Sequence, residues 1–189
     1  VIPTPENYKA FSDRIGEQGL AVANGMHVAS PVHLMLHDLV SMNTFFYLYM
    51  DNRKQMHELA ERMEPFFNKV LEAVLQSEAE AVLWGSNYDQ NITYPPFYEE
   101  EIAPWLQKAV ERTHQGGKSL VCHCDGENEQ LLPLYRKYPF DMAESVCPKP
   151  MTHLTLREVR EGMPGITIFG GIPAVILMHD ESETNFNDY

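Results

Sequence analysis

Short apolar runs of strand length alternate with stretches of helical pattern along this chain, about five times over. The runs are Leu20 to Ala23, Ala81 to Trp84, Ser119 to Cys122, Phe140 to Val146 and Ile166 to Phe169. Strand–helix–strand repeats fold as parallel strands joined by right-handed crossovers, with the helices laid against the sheet. The expected class is therefore α/β. Five units suit an open doubly wound sheet, and they equally suit a stretch of an eight-stranded barrel. Periodicity leaves both open.

The helical stretches carry their own signals. Pro3 and Pro5 mark a loop, and the helix after them ends near Gly16 or Gly19. Ser30-Pro31 places a capping hydroxyl ahead of a proline at the first helical position, and one helix is expected to follow through Leu34, Leu39, Phe45, Phe46 and Leu48. Met56, Leu59, Met63, Phe66, Phe67, Val70, Leu71, Val74 and Leu75 recur at three- and four-residue spacing, a core-facing stripe with Pro65 expected to kink it. A helix opening at Pro104-Trp105 stops at Gly116-Gly117, and shorter ones are expected over Glu127 to Lys137 and Leu154 to Glu161. The tail from Asp180 to Tyr189 is acidic and polar.

Composition removes several classes. The 189 residues are one domain's length, and 44% hydrophobic with 22% charged is ordinary globular composition. The net charge of −13, with no Lys or Arg block, argues against nucleic acid or an anionic membrane surface as partner. No apolar run approaches a transmembrane span, and no signal peptide opens the chain. Three cysteines without framework spacing suggest reduced thiols and a cytoplasmic location, so the glycosylation pattern Asn91-Ile92-Thr93 carries no weight. The first residue is Val1, as in a processed or excised piece.

Parallel α/β sheets keep their chemistry at the carboxyl ends of the strands. There the sequence offers His27, then Asn87 and Asp89, then His123 and Asp125, then Glu144, and finally Gly170-Gly171. His123 and Asp125 are two apart and share a face, while Cys122 and Cys124 share the other. A His and an Asp forced among packed helices would be costly to bury, whereas cysteine behaves as a small hydrophobe. The imidazole and carboxylate are therefore expected on the rim. Together with Glu144 they form a candidate acid/base site, with His123 and Asp125 as zinc ligands if a metal binds. His27, Asn87, Asp89 and the Gly170-Gly171 turn are expected to contact a small-molecule substrate. His33 and His37, at HxxxH spacing on a helix, could bind metal, but no acidic partner of the zincin type accompanies them, and they read as surface or helix-packing histidines.

Taken in order, these segments resemble the uroporphyrinogen decarboxylase superfamily, which also holds the corrinoid-dependent methyltransferases. The resemblance rests on His123-Cys124-Asp125-Gly126, Asp141-Met142-Ala143-Glu144 and Gly170-Gly171-Ile172-Pro173. Ser30-Pro31, Asn87-Tyr88-Asp89 and the run from Phe97 through Pro104 into His114–Lys118 fit the same pattern, so most of residues 20–175 is covered. It implies a (β/α)8 barrel of the TIM type, of which this chain carries about five middle-to-late units. A slice of that kind exposes two strand edges, so self-association into a homo-oligomer, or membership of a longer chain, is expected. Methyltransferase relatives place His-x-Cys-Gly after the matching strand as zinc ligands. Here His123 matches the His, Cys124 occupies the x position and Asp125 stands where that Cys would be. The function implied first is one-carbon transfer with a corrinoid protein as partner. A carboxy-lyase of porphyrin metabolism is the second, and a non-catalytic ligand-binding remnant the third.

Overall fold

The computed structural model describes residues 6–177. The loop read at Pro3 and Pro5 and the tail from Asp180 lie outside the described residues. Five strands form one sheet in chain order: β1 (Val22–Met26), β2 (Ala81–Trp84), β3 (Ser119–His123), β4 (Met142–Val146) and β5 (Thr167–Gly170). Every neighbouring pair is parallel. A doubly wound sheet reverses its strand order at a switch point, and this sheet does not. The unbroken order is that of successive staves in a barrel wall, here a partial barrel.

Alternation along the strands separates two faces. Ala23, Val82, Trp84, Leu120, Cys122 and Ala143 are buried toward the helices. Against them lie α4 (Arg53–Leu75), packed on β1, and α6 (Ala103–Gln115), packed on β2 and β3. Fully buried Leu106 and Leu120 contribute about 1.5–3 kcal/mol each by leaving water. The opposite, concave face carries Val22, Leu83, Val121, Met142 and Phe169 around an open cavity of about 500 Å³. Phe169 is 65% exposed there, at one sheet edge.

Several elements differ from the sequence reading. The first strand starts at Val22 and runs straight through Asn24-Gly25, where its register against β2 shifts. Gly25 is needed because a Cβ there would sit 2.8 Å from the Trp84 ring. Ahead of it lies α1 (Glu6–Ile15). The single helix expected after Pro31 is three pieces: α2 (Pro31–Leu34), a π turn (Met35–Leu39) and α3 (Met42–Asp51). Ser30 caps as expected, its Oγ accepting from His33 N at 3.1 Å, but Ser41 caps α3 anew. The helix bearing Pro65 continues through it from Arg53 to Leu75. A second π turn (Tyr98–Ile102) joins α5 (Pro95–Phe97) to α6. The later helices are α7 (Leu132–Lys137), α8 (Leu156–Gly162) and α9 (Ala174–Leu177). Thr155 and Glu158 close a reciprocal capping box on α8.

Candidate functional site

His123 ends β3, and the β3–β4 register sets it directly beside Glu144. Both side chains point away from the helices, as the two-residue period requires. His123 Nδ1 hydrogen-bonds Glu144 Oε2, and Nε2 faces Asp125 Oδ2 at 3.3 Å. Ser145 Oγ donates to the other Glu144 oxygen at 2.6 Å. Ser145 itself has φ 57, where the register between β4 and β5 shifts. A residue with a side chain is strained there, and bulges of this kind re-aim their neighbours at functional rims. Cys122 and Cys124 are fully buried on the other face, Cys122 Sγ 3.4 Å from Trp84 O. Burial pushes both thiols up, so they are inert protonated groups.

Burial alone would lower the His123 pKa. The Glu144 hydrogen bond and the Asp125 and Glu144 charges outweigh it and raise the pKa above its usual value. No Lys or Arg pairs with Asp125 or Glu144 among the described residues, and all seven arginines lie on helices. The result is an imidazole bracketed by two carboxylates that favour its protonated form. Glu144 also lines the apolar cavity of the concave face, so the charged trio stands at that cavity's edge.

The other expected contacts lie elsewhere. Asp89 spends its carboxylate on backbone: Oδ1 accepts from Asn91 N at 2.8 Å and Oδ2 from Glu127 N at 3.0 Å. It ties the loop after β2 to the loop after β3. Gly170 (φ 126) and Gly171 (φ 96) adopt backbone conformations that side chains resist. A Cβ on Gly170 would lie 3.0 Å from Val146 N, so the turn's glycines serve close approach to β4.

His27 and Asn87 join a second group. His27 Nε2 meets Asp38 Oδ2 at 2.6 Å, His37 Nδ1 meets Asp38 Oδ1 at 2.7 Å, and Asn87 Nδ2 meets His37 Nε2 at 2.5 Å. The sequence does not single out Asp38, and it reads His37 as a surface or helix-packing histidine. The usable signal was a His just past a strand followed, ten residues on, by His-Asp. HxxxH spacing pointed the wrong way, because His33 is buried with its ring edge-on to His37 at 6.3 Å.

At His123 the two carboxylates occupy opposite edges of the ring, so zinc bound there would find His123 and Asp125 but no converging third ligand. Among the described residues, the three side chains of metal-ligand type that do converge are His27, His37 and Asp38. No helix among the described residues is long and apolar enough to cross a membrane.

Comparison with known proteins adds one match. Residues 14–184 fit the family pattern described as uroporphyrinogen decarboxylase (URO-D). No curated protein and no solved structure matches the chain.

Proposed function

This chain belongs to the uroporphyrinogen decarboxylase family, and from that premise we propose that it transfers a one-carbon group, using His123 as the acid. The observation that carries the reading is the His123 ring held between Glu144 and Asp125, whose charges raise its pKa. Glu144, itself fixed by Ser145, takes the Nδ1 hydrogen and sets the ring's orientation. The 3.3 Å contact to Asp125 is long for a hydrogen bond, so the Nε2 hydrogen is the loosely held and deliverable one. When a methyl group leaves a substrate oxygen or nitrogen for its acceptor, the carbon–heteroatom pair stays on the heteroatom. His123 Nε2–H then donates its proton there, and neutral His123 is reprotonated from solvent beside Asp125. A corrinoid on a partner protein would supply the methyl acceptor. No step runs through zinc.

Charge favours this substrate class. Asp125 and Glu144 would repel a polycarboxylate, and neither is paired with Lys or Arg. A neutral or cationic methyl donor meets no such penalty. A carboxy-lyase is the second reading, because the same imidazolium can protonate the carbon that loses carbon dioxide. Incubating the chain with methylated oxygen and nitrogen donors and reduced cobalamin separates the readings. Methylcobalamin formation that disappears in His123→Gln supports methyl transfer. Carbon dioxide release without methyl transfer supports the second reading, and neither activity leaves only a ligand-binding role.

A further inference from the structure

We infer that His27, His37 and Asp38 form a binding site for a first-row divalent metal ion, separate from the acid at His123. The three ligand atoms, two imidazole nitrogens and one carboxylate oxygen, all lie within 4.8 Å of one another. They come from the bend after β1 and from the π turn that follows α2 in the same connection. His27 follows β1 directly, and His37 and Asp38 occupy the π turn after α2. The widened π turn presents consecutive residues that a regular helix would fan 100° apart, and such turns recur at functional sites. The rings of His27 and His37 cross at 66° with centroids 5.4 Å apart, leaving their nitrogens aimed at one carboxylate. Ion contacts of about 2.0–2.2 Å require only small outward shifts of groups now 2.6 and 2.7 Å apart.

The surroundings supply what a ligand histidine needs. His37 uses Nδ1 toward Asp38, and its other nitrogen, Nε2, is held at 2.5 Å by the Asn87 side chain. A partner on the far nitrogen fixes the tautomer and ring angle of a metal-bound imidazole. With the amide turned, Asn87 Oδ1 accepts the Nε2 hydrogen and frees the Nδ1 lone pair for the ion. Asn87 has φ 56, a left-handed conformation that asparagine tolerates better than most residues. Beside this group His37 and Asn87 line a cavity of about 360 Å³ with Leu36, Ile92 and Thr93. Two histidines and one carboxylate leave coordination positions open, the pattern of ions that bind a substrate oxygen rather than only hold a fold. The site sits at the β1 and β2 end of the rim, two strands from His123.

Cobalt(II) titration of the full chain, followed by visible absorption, tests the site, with Zn2+ calorimetry as the second measurement. The wild-type chain is expected to take up one equivalent of each ion in this site. His27→Ala and His37→Ala, both at exposed side chains, are expected to weaken that equivalent at least 100-fold while circular dichroism is unchanged. His123→Gln is expected to keep it. No binding to the wild-type chain, or binding lost in His123→Gln and kept in both histidine variants, would overturn the assignment. Asp38→Asn checks against misfolding of a single variant, since it keeps the residue's size and removes the charged ligand.

Discussion

Two groups of imidazoles and carboxylates share the rim, and they are built on opposite terms with respect to protons. On β3 and β4, His123 lies between two carboxylates and is stabilised as a cation. Near β1 and β2, three histidines crowd around one carboxylate, and the innermost, His33, is fully buried. Burial, with the charges of His37 and His27, lowers the His33 pKa from 6.5 to about 3, against a smaller opposing pull from Asp38. The first group favours the protonated imidazole, while the second holds its buried member, His33, in the neutral form. One carboxylate more and two imidazoles fewer reverse the chemistry.

Acid should break the second group first. Unfolded His33 takes up a proton near pH 6.5 and folded His33 only near pH 3, so the unfolded chain binds more protons in between. Stability is therefore expected to fall as pH drops through that window, by on the order of 5 kcal/mol for this group. Denaturant midpoints at pH 7 and pH 3 measure the loss, and His33→Gln should flatten the slope. A slope unchanged in that variant would place the acid sensitivity elsewhere.

His123→Gln probes the other side of the comparison. It keeps a hydrogen-bonding side chain but removes the titrating acid, and a drop of about 10²–10⁴ in turnover is expected. Turnover within twofold of wild type would remove His123 from the chemistry. A smaller effect sharpens how the scaffold holds Glu144. Gly170→Ala puts a Cβ 3.0 Å from Val146 N at a φ of 126. It is expected to destabilise by about 1–3 kcal/mol, read from thermal unfolding, without shifting the pH dependence set by His33.

The division between what the sequence shows and what it hides follows interaction range. Alternation within a strand placed His123 and Asp125 on one face and the cysteines on the other, because that rule is local. The pairing of His123 with Glu144 depends on β3–β4 register, which a separation of 21 positions does not encode by pattern. Asp89 looked like a rim carboxylate until the loop after β3 brought Glu127 N onto it. His37 and Asp38 sit where apolar spacing reads as ordinary helix, and only the π turn and the fresh cap at Ser41 break that reading. The α/β class was legible in the consecutive strand–helix units and the barrel only in the family resemblance, while the two register shifts at β1 and β4 were in neither.

Titration of His123 by NMR, through its ring carbon resonances in the wild-type chain and in Glu144→Gln, bears most directly on the proton-donor account. Its folded pKa is raised, so the stability it contributes is full below pH 6.5 and fades as pH rises through the folded value. The account predicts a midpoint above 6.5 in the wild-type chain and a return toward it in Glu144→Gln. A wild-type midpoint at or below 6.5, unmoved by the substitution, would contradict it.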